Sequence, residues 1–490
     1  MLEFIKKAFN NTYTENGARA FHSTQSDCLD LFFKAGAFRD ADEKTICDAV
    51  AKAFAENPDK TMKIIFFARD VRGGMGERRF FRIAIKYLAK YAAPCIIKNI
   101  PLIAEYGRYD DLCVLLDTQC RAAAAAEIAK QLRKDNEAMK NGKNISLLAK
   151  WLPSVNASSD ETKYSAKKLC RMLKLDERTY RKTLSALRKY IDITENYLRE
   201  ADYSFDYSKQ PSGTMFKYRK AFIRNDEERY MKYIGQVSRG EAKLNASALY
   251  PYEIVRSALR EKISPEERAA LDATWKNLAS YGNTEENGNA IAVVDGSGSM
   301  TWGIGALRPI DAALSLGIYF AEHNKGVFAN HFITFSQRPR LVEIKGRDIT
   351  EKVRYCASYN ECANTNLEAV FRLILDTATA NRLSPSELPT RMYIISDMEF
   401  DYCIEGGNNQ TLFTEMKHRY ARYGYKLPEV IFWNVNSRNS HIPVTMSETG
   451  AALVSGASPA IFDMVKSGEI SPERIMDEIL ESERYREICA

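Results

Sequence analysis

The stretch Asp295-Gly296-Ser297-Gly298-Ser299 decides how the C-terminal part of this chain is read. It directly follows the apolar run Ala290-Ile291-Ala292-Val293-Val294, which has the composition of a fully buried strand. An Asp-x-Ser-x-Ser loop at the carboxyl end of such a strand gathers one carboxylate and two hydroxyls around one point. Those are hard oxygen donors of low total charge, suited to Mg²⁺ or Mn²⁺ and unsuited to Zn²⁺. The two glycines let the backbone turn sharply, so that alternate side chains converge.

Downstream of a polar stretch at 281–288, strand-like and helical patterns alternate. Expected strands are Ala290–Val294, Phe328–Phe335, Met392–Ser396, Val430–Val435 and Ala451–Val454. Helical patterns at Asp311–Glu322, Leu367–Asn381, Thr411–Tyr423, Pro459–Lys466 and Pro472–Arg484 separate or follow them. Such alternation predicts a mostly parallel sheet covered by helices, with ligands bound outside the carboxyl ends of its strands. Asn364-Thr365-Asn366 precedes the helix at Leu367, and Ile394-Ile395-Ser396-Asp397 ends an apolar strand. Three loops on one sheet edge would then supply Asp295, Ser297, Ser299, Thr365 and Asp397. The competing reading makes the loop a plain turn and the acids helix caps, or lets an ion merely stiffen the domain. No general base, nucleophile or histidine accompanies the set, so no catalytic residue is assigned. Glu399 and Asp401 would add acidity, although loop acids are more often simply solvated.

Residues 1–285 carry helical periodicity almost throughout, without a fixed repeat length, which fits an irregular solenoid of helix pairs. Of the net charge of +6, the chain up to Gly288 carries 50 basic and 39 acidic residues, while the remainder is net acidic. That asymmetry points to a polyanion partner for the first part, or to solvated helix faces. Two basic segments stand out. Arg69-Asp70-Val71-Arg72-Gly73-Gly74-Met75-Gly76-Glu77-Arg78-Arg79 joins a glycine-rich turn to four arginines, and lacks the Gly-Lys-Ser/Thr ending of a P-loop. Lys217-Tyr218-Arg219-Lys220-Ala221-Phe222-Ile223-Arg224 interleaves aromatics with cations. Arg69, Arg72, Arg78, Arg79, Lys217, Arg219, Lys220 and Arg224 are therefore the candidate contacts to a nucleic-acid backbone. The bland alternative is an interhelix turn and a helix face of snorkelling side chains.

A chain of 490 residues is long enough for two or three domains, and its 45% hydrophobic and 27% charged residues are ordinary for a globular protein. The longest apolar runs fall short of a membrane span, and Met-Leu-Glu-Phe-Ile-Lys-Lys lacks a signal peptide's apolar core. Ten cysteines without CxxC pairs, several at apolar helical positions such as Cys28, Cys113 and Cys170, suggest reduced thiols in the cytoplasm.

The loop set resembles the metal-ion-dependent adhesion site (MIDAS) of von Willebrand factor A domains over residues 289–490. By that resemblance Ser297, Ser299 and Thr365 carry the ion and Asp295 and Asp397 bind it directly or through water. Mg²⁺ is the expected cofactor, with Mn²⁺ or Ca²⁺ in its place. Thr14-Glu15-Asn16-Gly17-Ala18, Phe66 to Gly74, Tyr106 to Leu112, Lys150-Trp151-Leu152-Pro153, Tyr218-Arg219-Lys220 and Asn245 to Pro251 resemble a family of unknown function found in bacteria, viruses and plants. Its layout is similar to the Ro autoantigen, a ring of helical repeats (TROVE, HEAT-like) followed by a von Willebrand factor A domain. The fold implied is a helical-repeat module at 1–285, able to close into a ring, and an α/β domain at 289–490. The function implied is binding of small noncoding or misfolded RNA in a ribonucleoprotein, with the metal site closing the structure or recruiting a protein through an acidic residue. The competing function is a metal-dependent protein scaffold without RNA. A metal-dependent nuclease ranks last, since the paired metals and base are missing.

Overall fold

Two short strands, β1 (Asn11–Tyr13) and β2 (Arg19–Phe21), pair antiparallel near the start of the chain. Helix was expected here, but β-branched and aromatic residues flank a turn that Gly17 closes at φ 84°, with Thr14 N–H bonded to Ala18 O at 2.8 Å. The computed structural model describes residues 9–15, 17–191, 193–281, 289–302, 307–325, 327–360, 365–400, 412–436, 441–465 and 470–490.

The apolar run Ala290–Asp295 forms β3, buried along its whole length. It lies inside a six-stranded sheet with β4 (His331–Phe335), β5 (Leu341–Glu343), β6 (Arg391–Ser396), β7 (Glu429–Asn434) and β8 (Ala451–Ser455), in the order β5-β4-β3-β6-β7-β8. All pairings are parallel except β4 with β5. All five expected strands are present. β5 was missed because three residues alternating exposed–buried–exposed leave little apolar signal. Complete burial of β3, β6 and β8 requires cover on both faces, as in other parallel sheets. From β3 the chain passes to β4 on one side, and β6 then pairs on the other. The carboxyl ends of β3 and β6 thus flank the reversal of strand order, where such sheets open a ligand crevice.

The chain packs as two compact units, one from Met1–Asp42 with Tyr207–Ser482 and one from Glu43–Asp206 with Glu483–Ala490. This division does not follow the change of sequence pattern at 285–289. Helices Ser212–Asn225, Glu227–Ser238, Pro251–Ala258 and Pro265–Lys276 pack with one another and, through the last two, against Ile349–Ala357 of the sheet region. Arg268 fixes that contact, its Nη2 lying 2.5 Å from Asp348 Oδ2 and 3.1 Å from Glu351 Oε1. The Asp27–Ala35 helix packs on β8, so closely that a Cβ on Gly36 would sit 2.6 Å from the Gly456 nitrogen. A pattern change in sequence marks a change of secondary structure. It does not mark where apolar faces find their partners.

The second unit is built from helices that include Glu43–Glu56, Pro58–Arg69, Arg78–Tyr91, Arg121–Lys140, Asp160–Met172 and Glu177–Tyr190. A cluster of buried charged groups lies within its apolar core. Buried Arg69 lies 2.8 Å from buried Asp111, whose other oxygen accepts from Arg82 at 2.6 Å. Buried Asp70 accepts from Arg484, from Tyr485 Oη at 3.0 Å and from Arg72 N–H at 2.9 Å. Gly107 and Gly74 permit this packing, since a Cβ would stand 2.5 Å from Asp111 Oδ2 and 2.0 Å from Phe67 O respectively. The eight cysteines among the described residues are free thiols. No described helix is long and apolar enough to cross a membrane.

Candidate metal centre and cationic surfaces

Asp295 ends β3 and is completely buried. Its Oδ1 accepts from Ser297 N–H at 2.9 Å, closing the turn, and its Oδ2 accepts from Ser396 Oγ at 2.6 Å. The carboxylate therefore ties the first loop to the end of β6. Ser297 Oγ and Ser299 Oγ lie 2.9 Å apart, so both hydroxyls of the Asp-x-Ser-x-Ser motif face the same space. Thr365 Oγ1, buried before the Leu367–Asn381 helix, donates to Glu399 O at 3.1 Å. Asp397 is buried just past β6, and its Oδ1 accepts from Glu399 N–H at 3.3 Å. The three loops are thus joined by direct bonds, with five oxygen-bearing residues at the switch point of the sheet.

Electrostatics fit a cation. The Asp295 carboxyl is pushed up to about 7, first by burial and then by the neighbouring Asp397 charge. No described basic side chain forms a salt bridge with Asp295. Two buried carboxylates beside three hydroxyls, without histidine or thiolate, suit Mg²⁺ or Mn²⁺ better than a softer metal. Among the described residues no group of three or more His, Cys, Asp and Glu could hold a metal ion, and this site offers only two of those side chains, Asp295 and Asp397. Asn364 and Asp401 lie outside the described residues. Glu399 is buried, not solvated as expected of a loop acid, and accepts from Glu15 N–H at 2.9 Å.

Gly296 is required by space. A Cβ there would stand 2.8 Å from Asn360 Oδ1 and 3.1 Å from Asn360 Cα. Gly296→Ala is expected to destabilise by about 1–3 kcal/mol, the usual cost of overpacking. Chemical denaturation checks this, and an unchanged midpoint would show that Asn360 yields freely.

The cationic candidates separate into two groups. Arg69 and Arg219 are buried ion-pair partners and cannot serve as surface contacts. Arg69 pairs with Asp111, and Arg219 lies 3.0 Å from Glu267, with further bonds to Phe216 O and Ser257 Oγ. Sequence alone missed this because the matching acids lie 42 and 48 residues away. Arg72, Arg78, Arg79, Lys217, Lys220 and Arg224 are exposed. Lys217, Lys220 and Arg224 recur at helical spacing on one face of Ser212–Asn225. In the other unit, Arg78 opens the Arg78–Tyr91 helix, and its pKa is lowered by desolvation and then by the charges of Arg108 and Arg82. Arg108 stacks over Trp151 at 3.9 Å.

Residues 14–127 and 119–283 match the family described as "Domain of unknown function (DUF2828)". The chain belongs to that family. Residues 289–486 match a second description, "Domain of unknown function (DUF7788)". A curated relative, "Uncharacterized protein L728" of Acanthamoeba polyphaga mimivirus, is 28% identical over 511 residues, covering 96% of this chain and 87% of that protein. Among solved structures, the Ro (RSR) protein of Deinococcus radiodurans aligns with a TM-score of 0.37 and 14% identity, over 94% of this chain and 93% of that one. The DUF2828 match spans Arg69, Asp70, Gly74, Gly107 and Asp111, the residues that build the buried charged cluster of the second unit.

Proposed function

We propose that this protein is a noncatalytic, divalent-cation-dependent binding protein. The observation that carries the reading is the convergence of Asp295, Ser297, Ser299, Thr365 and Asp397 at the carboxyl ends of β3 and β6. In this reading the loops form a von Willebrand factor A-type adhesion site. Ser297, Ser299 and Thr365 hold Mg²⁺, while Asp295 and Asp397 contact it directly or through water. Mg²⁺ favours six oxygen ligands and keeps water, so a partner's carboxylate can take one position. The bound ion supplies charge at that position. The chain's own residues hold the loops in register and bury the carboxylates. Isothermal titration with Mg²⁺ and Mn²⁺, with pull-downs in the presence and absence of EDTA, tests the reading. Absence of heat with both ions would sink it, and capture indifferent to EDTA would count against metal-mediated docking.

RNA as a second ligand is favoured by the exposed cation row of Lys217, Lys220 and Arg224 and by Arg78 among Arg82 and Arg108. The similarity of layout to Ro proteins supports the same reading. Charge reversal at Arg78, Arg79 and Arg224 is expected to weaken binding of structured RNA about tenfold or more and to flatten its salt dependence. Filter binding across a salt series measures both. RNA retention that is absent at low salt, or unaltered by the reversals, would remove this reading while leaving the metal site intact.

A further inference from the structure

The N-terminal hairpin reaches the loop that follows Asp397, although more than 380 residues separate them in sequence. Thr14 Oγ1 accepts from Ala18 N–H at 3.0 Å, which closes the hairpin turn, and donates to Phe400 O. Next to it, Glu15 N–H donates to Glu399 Oε2 at 2.9 Å. The other Glu399 oxygen faces His441 Nδ1 at 3.4 Å. His441 is itself held against the hairpin, because Phe21 and Ile442 exchange both backbone bonds, at 2.9 and 3.0 Å. Thr14, Glu399 and Phe400 are all buried.

Glu399 is the joint between this clasp and the proposed ion site. Its N–H bonds Asp397 Oδ1 and its carbonyl accepts from Thr365 Oγ1. One residue therefore fixes two of the five proposed ligands through its backbone, while its side chain is gripped by the hairpin. The preceding residue, Met398, sits at φ 68°, a left-handed conformation disfavoured for a side chain of that size. Such a segment persists only where its surroundings over-determine it. Met398 N–H donates to Ser396 Oγ at 3.1 Å, and the hydrogen bonds from Thr14 and Glu15 hold the two residues that follow it.

We propose that the Asn11–Phe21 hairpin is a clasp that sets the affinity of the ion site, with Thr14 and Glu399 as its positioning residues. The proposal rests on the ion-binding reading given above. Neither side chain needs to touch the ion. Thr14 holds the Phe400 carbonyl and Glu399 holds the hairpin backbone, so that Asp397 and Thr365 are already aimed when the ion arrives. Preorganisation of this kind raises affinity without adding a ligand.

The test is Mn²⁺ titration of the full chain followed by electron paramagnetic resonance, with circular dichroism to confirm folding. Wild type is expected to bind one ion. Thr14→Val keeps the shape but loses the hydroxyl, and Glu399→Ala loses the acceptor. Each is expected to bind Mn²⁺ about tenfold or more weakly. Thr14→Ser and Glu399→Gln retain an oxygen in the same place and are expected to restore affinity to within about threefold. A merely structural role would not follow this pattern of loss and rescue. Wild-type affinity in a folded Thr14→Val or Glu399→Ala chain would overturn the clasp and leave the ion site standing. Should both of those variants be unfolded, a loss of affinity in folded Glu399→Gln and Thr14→Ser would overturn it, and retention would support it. Failure of wild type to bind Mn²⁺ would overturn the ion reading and the clasp with it.

Discussion

Asp295→Asn is expected to abolish Mg²⁺ and Mn²⁺ binding, and at the same time to stabilise the ion-free protein at neutral pH. The two effects have one cause. Asp295 is completely buried beside Asp397, and its carboxyl is pushed up to about 7 by desolvation and then by that second charge. In the unfolded chain the same group titrates near the ordinary Asp value of about 3.9. The folded ion-free state therefore binds more protons than the unfolded state between those values. Stability must fall as pH rises from about 4 through about 7. Above that range the folded protein carries two buried carboxylates in mutual repulsion, a penalty on the order of a few kcal/mol. A divalent cation reverses the penalty, and at a concentration of 100 times Kd adds about 2.7 kcal/mol of stability.

Thermal melts from pH 5 to pH 8, with and without Mg²⁺, read these terms separately. Wild type should show a Mg²⁺-dependent rise in Tm that grows with pH, because ion and proton compete for the same carboxylates. Asp295→Asn should show neither the Mg²⁺ rise nor that part of the pH slope attributable to Asp295. A wild-type Tm indifferent to Mg²⁺ at pH 8 would contradict the assignment, whatever the variant does.

Arg69→Ala is expected to cost about 3–5 kcal/mol of stability, the usual result of removing one partner of a buried ion pair. Arg69 is 2% exposed and Asp111 is fully buried. Arg82 would remain on Asp111 Oδ1, but Oδ2 would lose its only described side-chain donor. Arg72→Ala, three residues along, removes an exposed side chain whose described bond is a 3.4 Å contact to Glu105 O. It should change stability by less than about 0.5 kcal/mol. Urea denaturation of the two variants makes the comparison. Equal, small effects would mean that Asp111 finds water or another donor when Arg69 is lost. The same variants bear on the RNA reading, since Arg72 is exposed and Arg69 is not.

Much of the sheet was legible in the sequence. Apolar runs ending in Asp295 and Ser396 read as buried strands, and the residues past their ends then fall on one edge of a parallel sheet. Asp295, Ser297, Ser299 and Asp397 followed from that rule, which depends on local pattern and chain direction, whereas Thr365 was offered by a loop before a helix. The basic segments were less legible. Arg69 and Arg72 differ by three positions in one glycine-rich stretch, yet one is a core ion-pair partner and the other faces solvent. Nothing local distinguishes them, because the difference lies in Asp111. The Pro265–Lys276 helix falls within the helical region, and its start is marked locally by a cap at Ser264 followed by proline.

By itself, then, the sequence determined a helical region, a mostly parallel sheet and five oxygen-bearing residues at its carboxyl edge. Those are consequences of periodicity, strand direction and donor chemistry. Tertiary structure alone decided that residues 1–42 and 207–482 form one unit, that Arg69 and Arg219 are buried, and that Thr14 and Glu15 grip the segment after Asp397. Pairing of buried polar groups across long stretches of chain is selected by desolvation, which penalises each of them until its partner arrives. That partner is fixed by packing in three dimensions and has no signature in the residues nearby.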